Sequence, residues 1–122
     1  MVKADATTNS TATSFMNGVP ELLLLRLLQA REMYGYELVQ AIRDETRDAV
    51  QFGEGVVYPV LHALEKDGAL KSRRKTVNGR SRVYYSLTAA GRRRLGDLTA
   101  TWLKVSEAIQ GVLTGARHAE AI

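Results

Sequence analysis

The 122-residue chain has no cysteine, two prolines, two phenylalanines, one tryptophan and two histidines. Without cysteine there is no disulfide framework, no thiol nucleophile, no Cys-ligated zinc and no iron–sulfur cluster. His62 and His118 are too few for a histidine-rich metal site. The sequence also lacks a Ser-His-acid set, a Gly-rich phosphate loop and carboxylates clustered at metal spacing. His62 and Glu65 sit close together on one helical segment and read as a surface contact rather than an acid–base couple. No enzyme, no catalytic residue and no cofactor is expected from this inventory. Long hydrophobic runs are missing too. The longest, Leu22 to Leu28, is interrupted by Arg26 and is far too short to span a bilayer. Met1 to Ser14 is polar and rich in Ala, Thr and Ser, without the apolar core of a secretory signal. The expectation is a soluble, cytoplasmic protein with no membrane partner.

What is present is charge, unevenly distributed. Seventeen Lys and Arg against thirteen Asp and Glu give a net charge of +4. Lys66 to Arg94 holds ten basic residues and one acid, a charge of +9; the other 93 residues hold seven basic and twelve acidic, a charge of −5. A basic segment on a weakly acidic body is the electrostatic footprint of a phosphate-binding surface. The length fits one domain that buries a core without staples.

The local pattern divides the chain into elements. Residues 1–14 are too polar to bury apolar surface and read as a flexible arm. A first helix is predicted from Pro20 to Ala30, apolar on nearly every side and therefore wrapped by the rest of the domain. A second runs from Tyr36 to Thr46, with Leu38, Val39 and Ile42 on one face. In a third, Val57, Val60, Leu61 and Leu64 follow helical spacing and Gly68 marks the stop. Proline fits best in a first turn, so Pro59 favours a start near Gly55 or Val56, with a kinked start at Gly53 as the alternative.

Asn78-Gly79 is the strongest turn signal in the chain and predicts a two-residue hairpin connection. That register pairs Val77 with Arg80, Lys75 with Arg82 and Leu70 with Leu87. Lys75 and Arg82, directly opposed, repel each other, and an anion such as phosphate beside them would remove the penalty. A long helix from Thr88 to Leu113 completes the domain. Leu95, Leu98, Trp102, Val105, Ile109 and Val112 recur at spacings of three and four, an a/d seam that points to a partner helix. The tail is expected from residue 115 to 122.

Helix, helix, helix, strand, strand, helix is the order of a winged helix-turn-helix domain. The fold class is thus mainly α with a small β-hairpin: a winged helix-turn-helix domain over residues 15–87 and a long C-terminal dimerisation helix over 88–114. In this layout the third helix enters the major groove and the hairpin lies along the backbone or minor groove. The expected DNA contacts are Tyr58, Pro59, His62 and Lys66 from the third helix. Arg73, Lys75, Asn78, Gly79, Arg80 and Arg82 are expected from the hairpin. Tyr58 qualifies because it falls off the apolar stripe. Arg92 to Arg94 fan out around the last helix, so at most two of them face DNA together.

These residues also carry a resemblance. Met33-Tyr34-Gly35-Tyr36-Glu37-Leu38 resembles the opening of the second helix in PadR-type transcriptional regulators. Gly55-Val56-Val57-Tyr58-Pro59-Val60-Leu61 with Leu64-Glu65-Lys66-Asp67-Gly68 is similar to that family's recognition helix. The stretch from Gly79 to Thr88, with Gly91, resembles its wing and the junction to the last helix. Val56 stands where the family usually has Ser or Thr, which moves the expected contacts to Tyr58 and His62. The resemblance implies a homodimeric repressor on a double-stranded DNA operator, released by a small molecule. The single helix after the wing is similar to the shorter subgroup, in which a tryptophan stacks on flat aromatic ligands between subunits. Trp102, fourteen residues after Thr88, matches that position and is the expected site of a small aromatic effector. The competing class is a winged-helix module that binds protein and not DNA. Replacing Arg80 and Arg82 with Ala would separate the two.

Overall fold

Residues 17–115 are described by a computed structural model, in which seven elements follow one another. They are α1 (Val19–Ala30), β1 (Met33–Tyr34), α2 (Gly35–Glu45), α3 (Glu54–Lys66), β2 (Leu70–Val77), β3 (Arg80–Leu87) and α4 (Ala89–Thr114). The arm expected over 1–14 and the tail beyond Gly115 lie outside the described residues.

The four helices and the hairpin arise where the patterns place them. α1 buries Leu24, Leu25, Leu27 and Leu28 and leaves Arg26 exposed, as a helix apolar on most sides requires. In α2 the Glu37 carboxylate accepts the Tyr34 N–H at 3.2 Å, satisfying one orphan donor of the first turn. α3 starts at Glu54, one residue before the earlier of the two favoured starts, so Pro59 lies inside the helix. The hydrogen bond Pro59 cannot make belongs to the Gly55 carbonyl, in an exposed first turn where the loss costs least. Its buried stripe is Val57, Leu61 and Leu64, with Val60 half-buried.

The hairpin register is the expected one: Val77 pairs with Arg80, Lys75 with Arg82 and Leu70 with Leu87. Asn78 and Gly79 have φ of 54° and 78°, the two positive values that a tight primed turn needs. One strand is additional. β1 pairs antiparallel with β3, Met33 opposite Tyr85 and Tyr34 opposite Tyr84, giving a three-stranded sheet in the order β1-β3-β2. Two residues are too short to show a strand period, so only the pairing reveals them.

The core lies between the three first helices and one face of the sheet. Leu24, Leu25, Leu38, Ile42, Val57, Leu61 and Leu64 are its largest fully buried side chains. Each is worth about 1.5–3 kcal/mol of transfer free energy. Thr88 joins sheet to α4: its hydroxyl donates to the Gly68 carbonyl at 2.7 Å and accepts the Gly91 N–H at 3.0 Å. Gly91 sits so close to the Ala69 carbonyl oxygen that a Cβ would overlap it.

Candidate nucleic-acid interface

α3 presents Glu54, Gly55, Val56, Pro59, His62, Ala63 and Lys66 to solvent, so Pro59, His62 and Lys66 stand together on an open helix face. Tyr58 does not share that openness. It is half-buried, and a Cβ on Gly35 would overlap its ring, so the tyrosine packs beneath the first residue of α2. This corrects the expectation that Tyr58 points away from the core; the helical wheel could not register the space left by a glycine on another element. Burial pushes the Tyr58 phenol upward, and the charges of Glu54 and Tyr34 add to the shift. His62 lies one turn on, its ring 6.3 Å from that of Tyr58. The Glu65 carboxylate accepts a hydrogen bond from the Ser72 hydroxyl at 2.6 Å, fixing the hairpin against α3.

Strand alternation sorts the hairpin into two faces. Leu70, Tyr85 and Leu87 on one face turn into the core, as does Met33 of β1. The other face carries Lys71, Arg73, Lys75, Arg80, Arg82 and Tyr84, with Tyr34 beside Tyr84. Here the structure changes the expected electrostatics. The anion beside Lys75 is Glu32, from the connection between α1 and β1. Arg73 donates to both its oxygens, at 3.2 and 3.0 Å, and Lys75 Nζ donates to Oε2 at 2.6 Å. Lys75 Nζ also lies 4.4 Å above the Tyr84 ring, and the Arg82 guanidinium 4.3 Å above that of Tyr34. The two tyrosines meet edge to face at 5.4 Å. Lys75 and Arg82 therefore tolerate direct opposition in the free protein because one carboxylate and two ring faces flank them. The hydrogen bonds from Arg73 and then Lys75 hold the Glu32 carboxyl at about 2, down from 4.5.

At the hairpin tip Asn78, Gly79 and Arg80 are exposed. Arg74 donates to the Ser81 hydroxyl at 3.3 Å. Arg94 is tied to Glu21 at 2.7 Å and Asp67 at 3.4 Å. Of the ten cations in the basic segment, Arg73, Lys75 and Arg94 thus have acidic partners. Among the described residues no carboxylate pairs with Lys66, Lys71, Arg74, Arg80, Arg82, Arg92 or Arg93. A concentration of cations of this kind attracts polyanions.

The seam on α4 divides. Leu95 is 4 % exposed and belongs to the chain's own core, which corrects its place among the interface residues. Leu98 is half-buried against that core. Trp102, Val105, Ile109 and Val112 are exposed, and so are Leu103 and Leu113, which the seam did not include. Leu113 lies eleven residues after Trp102 and so falls on the same side of the helix. Trp102 borders a shallow cavity of about 230 Å³ with Val19, Leu22, Leu98 and Val105. Among the described residues there is no cluster of three or more potential metal ligands, and no helix long and apolar enough to cross a membrane.

Known proteins share this arrangement. The chain is similar to a transcriptional regulator of Mycobacterium tuberculosis, 34 % identical over 104 residues that cover 85 % of this chain and 92 % of that protein. The crystal structure of a PadR family transcriptional regulator from Eggerthella lenta superposes with a TM-score of 0.74 at 26 % identity, covering 93 % of this chain and 97 % of that one. A PadR-like transcriptional regulator from Bacillus cereus superposes with a TM-score of 0.71 at 29 % identity, over 82 % of this chain and 96 % of that one. Residues 24–97, from the buried leucines of α1 through the hairpin to the fastened start of α4, match the transcriptional regulator PadR-like family. The open α3 face, the basic hairpin and the long last helix are therefore those of a transcriptional regulator, not an enzyme, and the chain belongs to the PadR-like family.

Proposed function

We propose that the protein is a homodimeric repressor that binds duplex DNA through α3 and the β2–β3 wing and leaves it when a flat aromatic molecule binds at Trp102. The observation that carries the DNA reading is the set of cations around α3 and the wing that no carboxylate among the described residues neutralises. Pro59, His62 and Lys66 supply groove contacts, with the Tyr58 edge behind them. Asn78, Gly79, Arg80 and Arg82 supply contacts to the backbone or minor groove, and Arg73 and Lys75 join once Glu32 yields them. Two copies joined along α4 present two recognition helices about one DNA turn apart, ~34 Å, on a pseudo-palindromic site.

The dimer reading is supported by the exposed apolar stripe of Trp102, Val105, Ile109, Val112 and Leu113. So much apolar surface in one line on a helix favours a partner of the same kind. Trp102, 46 % exposed within that stripe, gives an aromatic ligand a stacking surface. A ligand there shifts the spacing of the two recognition helices by its differential affinity for the two arrangements.

A gel shift with the DNA upstream of the protein's own gene tests the reading. With on the order of 6–10 phosphate contacts per dimer, affinity should fall ~10³–10⁵-fold between about 50 and 200 mM salt. Binding indifferent to salt would sink it. Release of the DNA by flat aromatic compounds, abolished in Trp102→Ala, tests the effector step separately.

A further inference from the structure

Resting on the reading of the wing as a DNA-binding element, we propose that Glu32 is a built-in competitor for DNA phosphate, a carboxylate that lowers the wing's affinity for DNA. Glu32 is separated from Arg73 and Lys75 by 41 and 43 residues, yet both side chains converge on it. The guanidinium fork of Arg73 holds its two oxygens in the bidentate geometry that the same fork offers a phosphate. A carboxylate and a phosphate are alternatives for one set of N–H groups. The Arg73 side chain is 66 % exposed and that of Glu32 is 26 % exposed, so a backbone phosphate reaches the cluster from solvent.

The charge count gives the direction. Glu32 cancels one of the two positive charges that Arg73 and Lys75 bring to the wing. It also turns both side chains towards the base of the sheet, where β1 meets β3. DNA contact by this pair therefore begins with an exchange of ligands. In the free chain Arg82 and Lys75 also lie over tyrosine faces, so the outer face has support besides Glu32. The wing's structural attachments lie elsewhere, in the Ser72–Glu65 hydrogen bond and the full β2–β3 ladder. A carboxylate that is one support of the wing among several, yet clamps two of its cations, acts on affinity.

The test is a titration of a mixed-sequence DNA duplex with four full-length proteins across a salt series: wild type, Glu32→Gln, Arg73→Gln/Lys75→Gln, and Arg73→Gln/Lys75→Gln carrying Glu32→Gln as well. Glu32→Gln should bind about 3- to 10-fold more tightly at ~50 mM salt, and its log–log salt slope should steepen by roughly 1 to 2 per subunit. In the Arg73→Gln/Lys75→Gln background the same change should do nothing. Equal or weaker binding by Glu32→Gln, or an unchanged slope, overturns the proposal, because a merely structural carboxylate would lower affinity when removed. A readout on the wild type keeps the idea testable if the variant misfolds: the Arg73 Nε–H resonance should move when the duplex is added, and one that stays in place overturns the exchange. A wild type that binds no duplex at low salt would overturn the DNA reading itself and this role with it. A wild-type shift without the Glu32 effect overturns only the role of Glu32.

Discussion

The two halves of α4 carry one apolar repeat but meet opposite surroundings. In the first half Gly91 lies against the Ala69 carbonyl, Leu95 is buried with Leu87, and Arg94 bridges Glu21 and Asp67. In the second half Trp102, Val105, Ile109, Val112 and Leu113 stand 46–78 % exposed. Helical spacing states that a face is apolar and is silent on what covers it. The changeover falls near Leu98, where α4 passes Val19 and Leu22 at the start of α1. Beyond that point the described part of the domain has no further element to offer.

Substitutions that separate the halves test the contrast. The largest effect belongs to Leu95→Ala. It removes a side chain that is 4 % exposed and should cost about 2–5 kcal/mol in denaturant unfolding. A loss below ~1 kcal/mol would return Leu95 to the outer seam and erase the division. Gly91→Ala comes next, at about 1–3 kcal/mol, because the new methyl meets the Ala69 backbone oxygen, which cannot rotate aside as a side chain would. Wild-type stability in that variant would show that α4 is not held at this point. Thr88→Ala should cost about 1 kcal/mol through the lost cap on the Gly91 N–H, measured by thermal unfolding. A neutral result would mean that water caps α4 equally well.

The same contrast marks what could be read in the sequence. The α3 stripe, the Asn78-Gly79 turn and the whole β2–β3 register follow from spacing within a few residues, and the structure reproduces them. Tyr58 was misplaced because its burial depends on Gly35, on a different helix, lacking a side chain. β1 escaped because two residues have no period. Glu32 escaped because nothing within a strand says which of the chain's thirteen acids returns to it from 41 residues away. The register did set Lys75 directly opposite Arg82, and that repulsion was the signal that this face needed an anion. The heptad seam joined Leu95 to Val112 correctly as a pattern. As a statement of partner it missed at Leu95, which its own chain buries, since intrachain and interchain burial obey the same spacing.

The smallest effect on the fold should come from Val112→Ser in the exposed half. Val112 is 77 % exposed, so the variant chain, measured dilute enough to be monomeric, should unfold within about 0.5 kcal/mol of the wild type. Self-association should respond in the opposite way. Val112 and Ile109 lie on one line of the helix, and a polar side chain in that line places an unpaired hydroxyl in the interface two copies would share. Sedimentation velocity across a concentration series should therefore show a weaker dimer for Val112→Ser and a weaker one still for Ile109→Ser, with little change in the monomer's unfolding. Leu95→Ala provides the opposite profile, a strong loss of monomer stability with association altered only through the unfolded fraction. If Val112→Ser instead destabilises the monomer, the outer half of α4 is covered by its own chain, and the two halves of the helix are one surface after all.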